Sequence, residues 1–502
     1  MIQAHLPLLI PLTLLFFALL IPLFGTKVPR SAYFLALSGS FLAFLISLYG
    51  LVRVATDGAI SYNMGGWAPP IGIEFILDPL SSFMMLIVTG ISFLVIIYGY
   101  RVVPEEHPQT QVSYFSIVML MLTGFSGIVL TGDLFNLYVF LEIASLASYA
   151  IVALGDKRSL VASFRYLMLG SLGSAFYLLG IGFIYFMGGS LNMKDVSQIL
   201  PFISGEPAVI AGLIFVVTGI ALKMALFPLH FWLPDAYSSA SSVSVALLAP
   251  LGTKIGAYIL IRFLYFIFEP EYVTTTVPIT SIISWLSVAG IIYGSIMAIA
   301  QDDLKRMLAY SSVAQVGYIG LGVGLATPLA LTGALLHIMN HSLMKAALFL
   351  VAGNLQIRIG HSNIQKFNQK LRHTMPWSMA AFSLGALSMI GIPPTAGFFS
   401  KWYLIVSAVG ESQWFFVFVI LLSSLLNAVY FFRVIEKVYL SPSKESLTDL
   451  PEEEEENKYA QNEVSFSMLT PTLILSACLL VIGILNYFIV NNLIDLMIPS
   501  NF

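Results

Sequence analysis

Apolar residues run unbroken along most of the chain for about 20 positions at a time, the length needed to cross a bilayer core. Such runs predict helices near 3–24, 31–52, 76–100, 114–131, 133–154, 163–187, 207–227, 243–267, 278–299, 305–325, 327–353, 377–392, 413–439 and 466–492. Two-residue alternation of apolar and polar positions is absent, which argues against a membrane β-barrel. The expectation is an all-α polytopic membrane protein of about 14 transmembrane helices. Two runs are broken. In "GIALKMALFPLHFWLPDA" Pro228 and Pro234 follow Lys223, and in "MIGIPPTAGFFSKWYL" Gly391, Pro393, Pro394 and Gly397 precede Lys401. Proline removes an amide donor and frees a carbonyl, which membrane interiors tolerate only against protein or water. Half-helices are therefore predicted at 229–240 and 397–409, attached to the seventh and twelfth spans.

Those two spans are each the fourth member of a five-helix block, spans 4–8 and 9–13. Five is odd, so the second block is expected to be inverted relative to the first. The implied divisions are 1–110 (helices 1–3), 111–270 (first repeat), 271–440 (second repeat) and 441–502 (an acidic loop and helix 14).

Composition strengthens the membrane reading. Hydrophobic residues make up 58% of the 502 and charged residues 10%, with a mean hydropathy of +0.89; a soluble chain of this size needs far more charge. The formal charge of −3 and the lack of a basic arm exclude a nucleic-acid partner. Cys478 is the sole cysteine, so disulfides, iron–sulfur clusters and Cys-based zinc sites within one chain are excluded. The first run has no basic flank or cleavage signal and reads as a retained helix.

With the amino terminus outside, Lys27, Arg30, Arg101, Lys157, Arg158, Arg165, Lys305, Arg306, Arg358, Lys366, Lys370, Arg372, Arg433, Lys437, Lys444 and Lys458 fall at cytoplasmic loops. Only Arg53 and Lys194 face out. The positive-inside rule thus predicts a prokaryotic cell (inner) membrane location with both termini on the outer face. The acidic run Glu452–Glu456 reads as a solvated stretch of the last cytoplasmic loop.

Five basic residues do not fit this loop pattern: Lys223, Lys254, Arg262, Lys345 and Lys401. Arg262 lies near a span end and can snorkel to the headgroups. The lysines lie well inside apolar sequence, where a charge costs about 2.5 kcal/mol or more. They are expected to face the bundle interior, hydrated, paired or able to release a proton. Glu142 is the only carboxylate of the fifth span and needs a cationic partner, for which Lys223 is the candidate. A static pair that only fixes packing is the alternative. "HIMNHSLMK" places His337, His341 and Lys345 on one helix face, with Asn340 beside them. This stripe reads as a proton wire, or else as core histidines satisfied by ordinary hydrogen bonds. Zinc is disfavoured because neither a catalytic glutamate nor a third ligand accompanies the histidines. His230 and Asp235, behind the first break, are secondary candidates with Asn340 and Lys345. Ionisable groups on broken helices in two corresponding halves point to an ion site near the midplane.

The motifs "DLFNLYVFLEI", "KMALFPLHFWLPDA", "GTKIGAYILIRF", "LKRMLAYSSVAQVGY", "HIMNHSLMKAALFL" and "GIPPTAGFFSKWYL" occur in order. Together they resemble the antiporter-like subunits of the complex I superfamily, most nearly the D-type subunit of multi-subunit Mrp sodium/proton antiporters. The resemblance spans essentially the whole chain and implies fourteen helices in two inverted repeats. It also implies a proton path through Glu142, Lys223, Lys254, His337, His341 and Lys401. Lysine at position 401 fits the Mrp D type and also occurs in one complex I paralogue. No long amphipathic helix follows the fourteenth span, unlike the largest complex I member.

The expected function is therefore a proton-translocating subunit of a Na+/H+ antiporter, partnered by other subunits in the lipid bilayer. One alternative is the corresponding subunit of a complex I-like oxidoreductase or membrane-bound hydrogenase. The other is a stand-alone solute transporter. P-loop, Rossmann, haem and oxyanion-hole signatures are absent, so neither a cofactor nor covalent chemistry is expected of the chain itself.

Overall fold

In the computed structural model, residues 2–155, 157–440, 463–500 and 502 are described. The Glu452–Glu456 run, Lys444 and Lys458 lie outside them. The helices in chain order are α1 (Leu6–Gly25), α2 (Pro29–Asp57), α3 (Pro79–Glu106), α4 (Gln111–Leu130), α5 (Leu134–Ala153), α6 (Lys157–Gly188), α7 (Met193–Ile203), α8 (Pro207–Met224) and α9 (Trp232–Ser239). They continue with α10 (Ser242–Arg262), α11 (Ile279–Ile299), α12 (Leu304–Gly324), α13 (Pro328–Ile359), α14 (Lys370–Thr374), α15 (Pro376–Ile390), α16 (Ala396–Gly410), α17 (Trp414–Tyr439) and α18 (Phe466–Ile484). The protein is a helical, multi-pass membrane protein.

Helices occupy all of the predicted spans, but not all are apolar along a full span. Among the described residues, twelve are long and apolar enough to cross a membrane. Two predicted spans differ for separate reasons. α12 carries Lys305, Arg306, Ser311, Ser312 and Gln315, yet nearly all of it is buried inside the bundle. A helix with no lipid-facing side does not need an apolar surface. The twelfth span, α15, is only 15 residues long, and α16 follows it where the half-helix at 397–409 was expected. Burial separates core from periphery: α10 and α13 are 94% buried along their spanning windows, against 39% and 33% for the first two spans.

Several elements were not anticipated. Residues Ile60–Asn63 (β1) and Glu74–Leu77 (β2) pair antiparallel, with Ile60 opposite Leu77 and Tyr62 opposite Phe75. At four residues each, the strands are too short to stand out as alternation. α7 lies between spans and buries Met193, Val196 and Leu200, an i, i+3, i+7 stripe. The last span ends at Ile484, short of the expected 492, and the chain continues in short turns.

Two distant regions of the chain share local chemistry. Asp133 caps α5 by accepting from Asn136 N at 2.7 Å, and Asp303 caps α12 by accepting from Arg306 N at 2.8 Å. Beside the first cap, Leu134 N donates to Leu191 O and Met193 N to Gly132 O, each at 2.8 Å. Beside the second, Leu304 N donates to Ser362 O and Ile364 N to Asp302 O, each at 2.8 Å. The helices that follow, α6 and α13, are each 32 residues long.

Candidate functional site

At the first break, α8 stops at Met224 because Ala225 turns left-handed, with φ 59° and ψ 41°. Lys223 occupies the last turn. Its Nζ donates to Ser145 Oγ at 2.7 Å and lies 3.4 Å from Tyr149 OH, both on α5. The direct Glu142–Lys223 ion pair expected from the sequence is not formed. The lysine stem meets α5 one turn beyond Glu142, at the i+3 and i+7 hydroxyls of the same helix face. Glu142 lies near Lys223 without bonding to it, and its buried Oε1 has no hydrogen-bond partner among the described residues. The carbonyl of Leu222, freed by the break, accepts from Trp232 Nε1 at 3.0 Å.

Gly256 lets α10 pass against this end of α8; a Cβ there would sit 2.9 Å from Met224 Cα. His230 is buried among the rings of Phe227, Phe231 and Tyr293, with centroids 5.3, 4.8 and 4.9 Å away. Asp235 is held in ion pairs by Arg165 at 2.7 Å and Arg306 at 3.5 Å. That engagement makes it a clamp between elements. Of the prolines marking this break, Pro228 lies between the half-helices, and Pro234 falls within the first turn of α9.

At the second break, α15 stops at Ile390 and Gly391 adopts φ 92°. Pro393 and Pro394 lie in the connection to α16. From α16, Lys401 reaches back across the break: its Nζ donates to Met389 O at 2.9 Å, Ile390 O at 3.0 Å and Ser424 Oγ at 3.2 Å. The same ammonium lies 4.9 Å from the centroid of the Tyr318 ring. Asn340 Nδ2 donates to Ala396 O at 2.8 Å, tying α13 to the start of α16.

Between the breaks, α10 and α13 cross in the core. Lys254 is fully buried and donates to Ala249 O at 2.6 Å. The rings of His337 and His341 are 5.8 Å apart and tilted by 25°. His337 is satisfied on both sides, by Ser400 Oγ and Gln315 Oε1 at 2.9 Å each. His341, equally buried, has no hydrogen-bond partner on either ring nitrogen. Lys345 donates to Leu308 O and Ser311 Oγ, each at 2.6 Å. Lys254 lies close to His337, His341 and Lys345, and Lys401 lies close to His337.

The structure thus brings together Lys254, His337, His341, Lys345 and Lys401, and holds Lys223 and Glu142 at the first break. Among the described residues, none of Lys223, Lys254, Lys345 and Lys401 forms an ion pair. The neutral partners of Lys223 (Ser145, Tyr149), of His337 (Gln315, Ser400) and of Lys401 (Ser424) were not singled out from the sequence. Spacing marked two of them, since Ser145 and Tyr149 lie three and seven residues after Glu142; Gln315 and Ser424 come from distant helices.

Arg262 does not snorkel as expected. It forms a two-pronged pair with Asp78 at 2.6 and 2.9 Å, and its guanidinium also meets Tyr258 OH at 2.9 Å. Burial pushes the Asp78 carboxyl up, but the guanidinium beside it outweighs burial and holds it below the usual carboxylate range.

Comparison with known proteins gives a consistent picture. Residues 131–427 match the family model described as NADH:quinone oxidoreductase/Mrp antiporter, TM, and residues 67–101 match NADH-ubiquinone oxidoreductase (complex I), chain 5 N-terminus. The chain is 44% identical to the N subunit of NADH-quinone oxidoreductase from Desulforudis audaxviator over 99% of both chains. It is 35% identical to the Na(+)/H(+) antiporter D subunit of Alkalihalophilus pseudofirmus over 72% of this chain and 73% of that one. Its fold matches a chain of the membrane-bound sulfane sulfur reductase, an archaeal respiratory membrane complex, with a TM-score of 0.89 and 27% identity over 98% of this chain and 96% of that one.

Proposed function

This chain belongs to the family of membrane subunits shared by NADH:quinone oxidoreductase and the Mrp antiporters, and we propose that it carries protons across the bilayer as one subunit of a hetero-oligomeric complex. The observation that carries the proposal is a set of three lysines and two histidines enclosed by helices, with a fourth lysine, Lys223, half-buried at the first break, none of them in an ion pair among the described residues. Fixed charges in such a place are costly. Groups that take up and release protons, with hydroxyl and amide partners to pass them on, explain why they are there.

In this reading Lys223 exchanges protons beside Ser145 and Tyr149, under the field of Glu142. Lys254 receives the proton at the centre of the bundle. His341, whose buried ring nitrogens have no partner among the described residues, connects Lys254 to His337, and Ser400 lies between His337 and the Lys401 backbone. Asn340 and Lys345 shape this segment; His230 and Asp235 support the first break. The proton path runs through two inverted five-helix units, helices 4–8 and 9–13, with both termini on the outer face. The paired caps at Asp133 and Asp303 support the repeat, because they recur at the same point of each unit.

Two drivers fit this membrane core. The relative from NADH-quinone oxidoreductase favours electron transfer in partner subunits, and the relative from the Na(+)/H(+) antiporter favours exchange for Na+. Co-purification of the native complex separates them: redox-cofactor subunits in the first case, small antiporter subunits alone in the second. Transport by the chain alone would favour a stand-alone transporter instead.

The decisive test of proton carriage is Lys254→Arg in vesicles of the intact complex. Arginine keeps the charge but does not release its proton at usable pH. Proton movement is expected to fall by about 100-fold or more. Near wild-type movement would make Lys254 structural and remove the proposal.

A further inference from the structure

The end of α15 is built like a receptor for a cation. The carbonyls of Met389 and Ile390 accept from the lysine across the break, Met389 O sharing its bond with Asn427 Nδ2 at 3.2 Å, and the negative end of the helix dipole lies there. Ser424 adds a hydroxyl oxygen, and the Tyr318 ring adds a π face. Oxygen donors of this kind suit hard metal cations. None of these donors is a carboxylate, so the arrangement matches a single positive charge and not two. Gly391 keeps the space open: its φ of 92° excludes most side chains, and a Cβ would lie 3.2 Å from Lys401 Cδ.

The Lys401 ammonium fills this cage, yet it arrives from α16, across the break from the helix that supplies the carbonyls. An ammonium is a monovalent cation on a tether, and its four-carbon stem is flexible.

We infer that the Met389 and Ile390 carbonyls, with Ser424 and Tyr318, form a binding site for a free monovalent metal cation, for which the Lys401 ammonium is a tethered competitor. The inference rests on the proposal that Lys401 carries protons. When its amine is neutral, the stem withdraws and a cation enters; when the amine regains its proton, two like charges at close range in a low-dielectric interior expel the cation. One proton and one metal cation thereby exclude each other at the same oxygens, and this is how proton and cation movement become coupled within the chain. The first break lacks such a site, because its lysine does not meet the freed carbonyl: Leu222 O accepts from the Trp232 indole, and Lys223 rests on two hydroxyls of another helix.

The experiment uses the intact complex carrying Lys401→Ala, which leaves the oxygens and removes the tethered charge. Its thermal midpoint is followed in NaCl, KCl and choline chloride at equal ionic strength. Binding to the folded state alone raises the midpoint with concentration. A rise on the order of a few degrees is expected in NaCl or KCl and not in choline chloride. Lys401→Met, whose uncharged stem still occupies the cage, is expected to respond equally to all three salts.

An equal response of Lys401→Ala to all three salts overturns the inference. If Lys401→Ala assembles only when Na+ or K+ is supplied throughout purification, the cation is filling the cage and the inference stands. If it does not assemble even then, while Lys401→Met does, the cage accepts no free cation and the inference fails. The readout is binding and not turnover, so it is separable from proton carriage. Lost transport without a cation response removes only the cation site, whereas retained transport in Lys401→Ala removes Lys401 from the proton path.

Discussion

The two broken helices share a plan and differ in what neutralises the loose end. Each stops at a residue with positive φ, Ala225 in one and Gly391 in the other, and each has a lysine within reach of the gap. At the first, the exposed carbonyl accepts from a neutral indole and the lysine lies on hydroxyls of a neighbouring helix. At the second, the lysine itself caps the carbonyls. A break therefore does not define an ion site by itself. On the proposed reading, the groups that turn toward the freed carbonyls set whether the position takes a proton alone or a larger cation as well.

The largest effect is expected at Lys223. Lys223→Met keeps the stem and deletes the amine. If the amine carries protons, transport by the intact complex falls by about 100-fold or more. Stability should move the other way or not at all, since replacing a buried charged group with an apolar one is often neutral or stabilising. Transport in vesicles and the thermal midpoint of the same preparation check both halves. Preserved transport with lowered stability would assign Lys223 to packing and remove the functional likeness between the breaks.

A smaller effect is expected from the backbone. Gly391→Ala forces a Cβ into left-handed geometry, at about 1–2 kcal/mol, and crowds the Lys401 stem. Ala225→Gly relieves similar geometry at the first break but adds chain entropy, so its net change is expected to be within about 0.5 kcal/mol. Paired thermal midpoints measure the difference. Equal shifts would mean that the second break does not hold its lysine more tightly than the first.

Much of this was legible from the sequence. Long apolar runs place the membrane helices, and "GIPP" and "FPLHFWLP" mark the breaks, because proline and glycine act locally on the backbone. Lys254, His337, His341 and Lys401 stand out since ionisable residues are costly in apolar runs. Contacts between distant helices were less accessible. Glu142 and Lys223 carry opposite charges on neighbouring helices, which favours a direct pair on chemical grounds. Helix rotation and stem length instead put the amine on Ser145. Arg262 looked free to snorkel because its partner, Asp78, lies 184 positions away. The β1–β2 hairpin and α7 escaped notice because both are short and lie outside the long apolar runs.

The smallest effect, and the sharpest test of the comparison, is expected from Trp232→Phe. The substitution removes the donor that caps Leu222 O while leaving a flat ring to stack on Tyr166, whose centroid is 4.1 Å away. Leu222 O keeps a backbone donor, Ala225 N at 3.2 Å, so the loss should be about 0.5–1.5 kcal/mol. Transport should change by no more than about two-fold, because the indole is not on the proposed proton path and its loss bears on stability. The informative measurement is salt selectivity. With one partly satisfied carbonyl and no second oxygen or ring arranged around it, the first break should show the same thermal midpoint in NaCl, KCl and choline chloride. Selective stabilisation by Na+ or K+ in Trp232→Phe would show that an uncapped carbonyl at a broken helix is enough to draw a cation. The difference between the two breaks would then lie in the presence of an indole and not in the architecture of the cage.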